Sequence, residues 1–403
     1  MLSFEQARQT VIEEVSIYRG KIARESVRLS EAAGRVLAQE IAADRDYPPF
    51  DRATRDGYAA RAADVTPGAQ LPCAGEIRAG DAWKAALAPE TCVQIMTGAA
   101  VSPGADAVVM VEQTTRAAST VTFGRAAQAG QNIVPRGSEA RAGEKLLGPG
   151  VRLGYAELAL AAQVGATRLE VAKKPRVAIL STGDEVVGIE ETPGAFAIRN
   201  SNSVSLEAQV HMAGGEPVLL GNAADREVDL REKIGRGLQE PILLLSGGVS
   251  AGKYDLVETV LRAMGTEFFF DAVAIRPGRP AVFGRCGETF VFGLPGNPVS
   301  TMVTFELFVP PAIDLLSGAE ARPLALVEAK LTTAMREKPG LTHFLPARVA
   351  WPAGSPEVQA LAWQGSGDAV AMARTNCFLV VPAEKETLEA GERVKILLRK
   401  DIV

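Results

Sequence analysis

The feature that most constrains this chain is a stretch near its middle, residues 240–255, which reads EPILLLSGGVSAGKYD. Residues 242–245 form a short unbroken apolar run suited to a buried strand. Ser246-Gly247-Gly248 ends the run, and residues 254–264 then place Leu256, Val257, Val260 and Leu261 on one helical face. A strand, a glycine turn and a helix start make an anion site. Glycine lets the backbone approach a ligand closely, and free N–H groups at the helix terminus point at negative charge. Asp255 lies at that terminus, where a carboxylate either caps the helix or holds a cation against a phosphate. A glycine turn also occurs for purely structural reasons, so the neighbouring segments decide between the two readings.

Those neighbours repeat the pattern. Residues 176–180 read as a strand ending in Ser181-Thr182-Gly183-Asp184-Glu185. Asn202 caps an expected helix reaching to about Met212, and Gly214-Gly215 stops it. Residues 217–220 are an expected strand and residues 226–238 a helix, with Asp225 at its start. Strands are expected over 268–275 and 281–283, separated by Arg276-Pro277-Gly278-Arg279-Pro280. Residues 290–294 lead into Pro295-Gly296-Asn297. A helix then runs from Pro298 to about Leu307, with Asn297 as N-cap and proline at the first helical position. Alternating strands and helices predict a mostly parallel sheet covered by helices on both faces, a three-layer α/β domain. Such sheets bind ligands at the carboxyl ends of their strands. That rim would gather Thr182, Gly183, Asp184, Glu185, Asp225, Gly247, Gly248, Asp255, Arg276, Arg279, Pro295 and Asn297. Packing does not require this collection of glycines, carboxylates and guanidinium groups, so a functional cleft is expected there.

The flanking segments have a different grammar. Ser3 to Gln6 forms a capping box for a helix carrying Phe4, Ala7, Val11, Ile12 and Val15 at helical spacing. A second helix is expected over residues 30–40. Residues 46–61, DYPPFDRATRDGYAAR, crowd Asp46, Asp51, Arg52, Arg55 and Asp56 around the turn dipeptide Asp56-Gly57, which taken alone reads as a solvated turn. Short β-type runs between residues 60 and 140 predict a small β domain. Thr97-Gly98 closes one of its strands, and residues 131–137 form another loop. Residues 155–164 read as a helix returning to the first element. The expected division is therefore a discontinuous N-terminal domain (1–45 plus 141–172), an inserted small β domain (46–140), the α/β domain (173–322) and a C-terminal β-barrel-like domain (323–403). In the last, Gln364-Gly365-Ser366-Gly367 is either a plain turn or a second anion contact.

Composition narrows the function. A net charge of −5 gives no support to a nucleic-acid partner. Two histidines, His211 and His343, disfavour a histidine-rich metal site or a Ser-His-Asp triad. Four scattered cysteines without a CxxC pair fit a reduced, cytoplasmic setting. The N-terminus lacks signal-peptide character. The longest uncharged run, residues 289–305, is broken by proline, glycine and asparagine, so no membrane span is expected.

Several stretches, taken in order, resemble the molybdopterin molybdenumtransferase family, which includes bacterial MoeA proteins and the matching domain of gephyrin. They are PPFDRATRDGYA, IMTGAAVSPGADAVVMVEQ, GQNIVPRGSEARAG, ILSTGDEV, LSGGVSAGKYD, IRPGRPAVFG and VFGLPGNPVS. The resemblance implies insertion of molybdenum from molybdate into adenylylated molybdopterin. Phosphoanhydride cleavage is assisted by a divalent cation, and AMP and molybdenum cofactor are released. It implies four domains and a homodimer whose cleft lies between the α/β domain of one subunit and the small β domain of the other. Docking to a molybdopterin adenylyltransferase and to molybdoenzymes is a further implied partnership. On this resemblance Glu185, Asp225 and Asp255 would hold Mg²⁺, and Asp56 and Thr97 would come from the opposing subunit. Arg136 would assist anion binding. Gly247, Gly248 and Ser250 would take phosphate or pterin, and Arg276, Arg279, Arg348 and Ser366 would take molybdate or phosphate.

The chain departs from the family pattern at Arg276 and Arg279, where lysines are common, and at Arg52 and Arg55 before the Asp56 turn. Glu139 stands near a customary aspartate. Arginine offers a planar fork in place of a point charge, so these changes bear on oxyanion discrimination. Two alternatives remain at this stage: a molybdopterin adenylyltransferase, and a non-enzymatic carrier or scaffold for molybdopterin or its metal-loaded form.

Overall fold

The computed structural model describes residues 1–403 except 22, 82, 84, 249–255, 400 and 402–403, and describes residue 353 without its side chain. The chain begins with helix α1 (Phe4–Ser16), closed by the capping box: Gln6 N donates to Ser3 Oγ at 3.2 Å and Ser3 N to Gln6 Oε1 at 2.9 Å. Phe4, Ala7, Val11 and Val15 are buried, the 3.6-residue stripe expected of a helix lying on a core. Phe4 meets Phe344 edge to face at 5.2 Å. The expected helix over 30–40 does not form. A single 3₁₀ turn, Leu29–Glu31, is followed by extended backbone whose hydrogen bonds go elsewhere: Gly34 N to Leu153 O, Leu37 N to Val151 O and Ala38 N to Glu170 O. Gly34, at φ 74°, breaks the helical path, and long-range pairing overrides local apolar spacing.

The strand Arg24–Arg28 pairs antiparallel with Arg168–Ala172, and Ile41–Ala42 pairs with Lys145–Leu147. Helix α2 (Tyr155–Gln163) buries Ala161 in the small core these segments share with Leu37, Leu153 and Val171. Between them lies a six-stranded sheet in the order Ala107–Met110, Gly57–Ala60, Cys92–Ile95, Gln70–Ile77, Thr120–Phe123, Thr114–Ala117. Alternate residues of Gly57–Ala60 and Cys92–Ile95 supply two separate apolar clusters, one on each face.

The α/β region is built on the sheet Glu216–Ala223, Arg176–Thr182, Ile242–Ser246, Thr289–Leu294, Val282–Cys286, Glu267–Phe270. The first four strands are mutually parallel, Val282–Cys286 runs antiparallel to them, and Glu267–Phe270 pairs antiparallel with Val282–Cys286. The strand expected over 268–275 ends at Phe270, and Ile275–Arg276 leaves the sheet to pair with the C-terminal domain. Helix α3 is Ser201–Ala213, α4 is Glu227–Gly237, α5 is Leu256–Ala263 and α6 is Pro298–Leu316. Ile242 and Leu244 face a core formed with α1, α3 and α6, while Leu243 and Leu245 face a second core formed with α4 and α5. Helix α6 continues past Leu307 through Pro310 and Pro311. Among the described helices it alone is long and apolar enough to cross a membrane, and it lies almost wholly inside the core.

The C-terminal strands Leu326–Leu331, Thr342–Ala350, Glu357–Ala360, Cys377–Val381 and Arg393–Leu398 close into a five-stranded barrel. Ile275–Arg276 adds parallel to Thr342–Ala350 and ties the α/β sheet to it. All four cysteines are free thiols, and burial pushes Cys92 and Cys377 up to about 12. One buried carboxylate links the units. Asp314 on α6 accepts from Arg152 Nη2 at 2.6 Å and from Arg322 Nε at 2.9 Å and N at 3.0 Å. Arg152 comes from the segment before α2, and Arg322 from the connection into the barrel. Removing one partner of a buried pair strands the others, so Asp314→Ala should cost about 3–5 kcal/mol. A urea unfolding midpoint well below that of the unsubstituted protein would show it.

Candidate functional site

The carboxyl ends of Arg176–Thr182, Ile242–Ser246 and Thr289–Leu294 lie in register, Ser181 beside Ser246 and Ser246 beside Leu294. The apolar strands turn polar here, and a cavity of about 390 Å³ opens. Its floor is a glycine turn. Gly247 and Gly248 have φ of 97° and 61°. A Cβ on Gly248 would stand 2.5 Å from Val257 Cγ2 and 2.8 Å from Thr182 Oγ1, and one on Gly247 would stand 2.8 Å from the Thr182 carbonyl. Thr182 Oγ1 is buried beneath this turn with no hydrogen-bond partner among the described residues. The Gly247 N–H donates to Leu294 O at 3.1 Å, so it holds the turn to the neighbouring strand and is not free for a ligand.

The N-terminal end of α3 forms one wall. Its N-cap is Asn200 rather than the expected Asn202: Asn200 Oδ1 accepts from Ser203 N at 3.0 Å and lies 3.0 Å from Ser181 Oγ. Asn202 faces the opposite way, donating from Nδ2 to Ser246 Oγ at 2.8 Å and to Gly296 O at 2.7 Å. It therefore ties two strand ends together across the floor. Asn297 is the N-cap of α6, yet its side chain makes no capping bond, and it lines the cavity.

A further part of the lining is acidic. Glu185 and Asp225 line the cavity, and Asp184 Oδ1 accepts from Asp225 N at 3.1 Å. Partial burial, then the neighbouring charges of Asp184 and Glu185, push the Asp225 carboxyl above the ordinary carboxylate range. A Cβ on Gly183 would stand 2.5 Å from Glu185 Oε2, so the Glu185 carboxylate is folded over a backbone that only glycine leaves open. Among the described residues, none of these three carboxylates is in an ion pair, and no group of three His, Cys, Asp or Glu side chains converges as a metal site.

Three family models match in succession: the MoeA N-terminal region (domain I and II) over residues 2–165, a probable molybdopterin binding domain over 178–314, and the MoeA C-terminal region (domain IV) over 328–398. The chain is 32% identical over 400 residues to the molybdopterin molybdenumtransferase of Haemophilus influenzae, covering 98% of each chain. This chain belongs to the molybdopterin molybdenumtransferase family. The Bacillus subtilis member is 33% identical over 388 residues, covering 94% of this chain and 90% of its own. The crystal structure of the molybdopterin biosynthesis MoeA protein from Pyrococcus horikoshii OT3 superposes with a TM-score of 0.79 at 30% identity, covering 99% of this chain and 100% of that one.

Of the residues singled out from sequence, Thr182, Gly183, Glu185, Asp225, Gly247, Gly248, Pro295 and Asn297 line the cavity, and Asp184 adjoins it. Ser250 and Asp255 lie outside the described residues. Ser366 reaches the rim through its backbone, its carbonyl accepting from Val299 N at 2.9 Å in the first turn of α6. Arg276 and Arg279 are exposed and do not line the cavity, although Pro280 of the same segment does. Arg348 is exposed on the barrel, opposite Gln359. Asp56 and Thr97 form a unit in the small β domain: Thr97 N and Oγ1 both donate to Asp56 Oδ1, at 2.6 and 2.7 Å. Those two bonds, the backbone one first, hold the Asp56 carboxyl below its ordinary range. Arg136 Nε is committed to Asp46 Oδ2 at 2.8 Å. Arg52 and Glu139, both departures from the family pattern, pair with each other at 2.8 Å.

Sequence reasoning missed Asn200, Asn202 and Arg199 as cavity residues. The signal was present as Arg199-Asn200-Ser201-Asn202-Ser203, a polar cluster at a helix start beside the binding rim. At the glycine floor, Gly248→Ala should cost about 1–3 kcal/mol through positive-φ strain and overlap with Val257. Gly194→Ala, at a position with open space around it, should change stability by less than about 0.5 kcal/mol. Paired urea melts check both, and equal midpoints would show that the turn yields freely.

Proposed function

We propose that this protein inserts molybdenum from molybdate into adenylylated molybdopterin, cleaving the phosphoanhydride and releasing AMP and molybdenum cofactor. The observation that carries this reading is the polarity of the cavity. Glycine backbone, asparagine amides and two carboxylates that make no ion pair among the described residues line it together.

Mg²⁺ fits the residues present. It takes hard oxygen ligands, and it is commonly held by one or two carboxylates together with substrate phosphates. Glu185 and Asp225 supply two, and Asp255 is the sequence candidate for a third. When bound, the ion would neutralise charge on the phosphates of the anhydride. The chain's own residues do the rest. Asn202 fixes the two strand ends that form the floor, Thr182 and the glycine turn shape it, and Asn297 offers an amide that makes no capping bond at the start of α6.

Asp56, Thr97 and Arg136 stand in another domain, and this reading gives them to the cleft of a second subunit in a homodimer. The two Thr97 bonds fix the orientation of the Asp56 carboxylate. Arg276 and Arg279, exposed and outside any ion pair among the described residues, are assigned to molybdate together with Arg348 and Ser366. A cytoplasmic setting and docking to a molybdopterin adenylyltransferase or to molybdoenzymes belong to the same proposal.

The test is AMP release by purified protein given adenylylated molybdopterin and Mg²⁺, with and without molybdate. Molybdate-dependent AMP release with metal-loaded pterin is expected. Binding without AMP or metal transfer would replace this reading with a carrier, and ATP consumption with metal-free molybdopterin would replace it with an adenylyltransferase. Asp225→Asn should slow AMP release by at least about 10-fold while leaving the fold intact. Arg276→Ala should raise the molybdate concentration needed for half-maximal turnover, and an unchanged molybdate dependence would confine Arg276 to structure.

A further inference from the structure

The acidic wall is held by a residue that does not itself line the cavity. Asn222 lies near the end of the strand Glu216–Ala223, opposite Ser181, where the register with Arg176–Thr182 shifts. Its Nδ2 donates to Gly183 O at 2.9 Å and to Val186 O at 3.1 Å. Both partners are carbonyl oxygens, which only accept, so the orientation of the amide is fixed by its surroundings. These two carbonyls bracket Asp184 and Glu185, so one side chain clamps the turn on either side of the Glu185 carboxylate. The other end of the amide, Oδ1, is buried without a partner among the described residues. A buried acceptor left unpaired is costly, so the amide is held here by what its donor end does.

The backbone of the same residue begins a second set of bonds. Asn222 O accepts from Lys233 Nζ at 2.5 Å, and Lys233 Nζ lies 3.0 Å from Asp229 Oδ2. Asp229 Oδ2 in turn accepts from Ala224 N at 2.7 Å, one residue before Asp225. Asp225 N closes the loop by donating to Asp184 Oδ1 at 3.1 Å. Residues 183–186 and 222–225 are thus laced into one rigid corner that presents two like-charged carboxylates to the same cavity. Like charges repel, and in the absence of such a corner the flexible Glu185 turn would relax away from Asp225.

We propose that Asn222, assisted by Lys233 and Asp229, is a positioning residue that holds Glu185 and Asp225 in place for a shared divalent cation. This rests on the reading that those two carboxylates take a cation. Residues that orient metal ligands without touching the metal typically account for about 10–100-fold in affinity.

The test is Mn²⁺ binding to the intact protein without substrate, followed by the loss of the free-ion paramagnetic resonance signal, with urea melts run alongside. Asn222→Ala removes both donors and should raise the Mn²⁺ Kd by about 10-fold or more. Asn222→Asp keeps the shape but turns acceptors toward both carbonyls, and it should bind at least as weakly. Asn222→Ser, which retains one donor, should fall between, and it carries the test if the alanine variant does not fold. Metal-free affinity for adenylylated molybdopterin should change less than about 2-fold, because Asn222 does not line the cavity. Wild-type Mn²⁺ affinity in a folded Asn222→Ala or Asn222→Ser variant would overturn the proposal, as would the absence of any Mn²⁺ site in the unsubstituted protein. A Mn²⁺ site weakened in the variants, in a protein that releases no AMP, would sink the proposed function and leave this inference standing.

Discussion

The strand Ile242–Ser246 is the element on which everything else leans. Parallel neighbours on both sides and a helical layer on each face leave its residues no solvent, so its sequence has to be apolar along its whole length until the rim. Each of its four large side chains gains roughly 1.5–3 kcal/mol from that burial. The same arrangement aligns Ser181, Ser246 and Leu294, so the polar ends of three strands arrive together. The chain then has to turn sharply beneath α5, and with Val257 and Thr182 already in place only glycine fits. The cavity therefore follows from the core: the strands that bury best also end side by side.

Polar chemistry around that cavity is divided by type. Amide side chains do the holding, with Asn200, Asn202 and Asn222 each bonded to backbone or hydroxyl groups of adjoining segments. Neutral donors can be half-buried at modest cost, whereas a charge used as a brace would demand a partner. Carboxylates are left facing the cavity, where Asp184, Glu185 and Asp225 crowd together with no ion pair among the described residues. Elsewhere the opposite economy holds. Asp314, sealed inside the molecule, is surrounded by Arg152 and Arg322 and joins the N-terminal segment to the entrance of the barrel.

Much of the fold was legible because its strongest signals are local. The apolar run at 242–245, the Asn297-Pro298 helix start and the capping box at Ser3 each state their structure within a few residues. The cavity residues Thr182, Glu185, Asp225, Gly247 and Asn297 were legible for a related reason: parallel sheets put their turns on one rim, so reading the turns reads the site. What failed depended on distant partners. Residues 30–40 have helical apolar spacing, but their N–H groups are taken by residues 151, 153 and 170. Asn202 was placed as a cap, yet Ser246 and Gly296, far away in sequence, claim its amide. Arg52 and Glu139 read separately as departures and are in fact each other's partner.

By itself the sequence determined the layer architecture, the family, and the turns from which a ligand would be held, because hydrophobic periodicity and glycine chemistry act over a few residues. Tertiary structure alone decided which polar groups are spent on the fold and which are left over. The Gly247 N–H is consumed by Leu294, the Arg136 Nε–H by Asp46, and the amide donors of Asn222 by the turn carrying Glu185. A hydrogen bond can be spent only once, and its partner is chosen by proximity in space, which no local pattern of residues encodes.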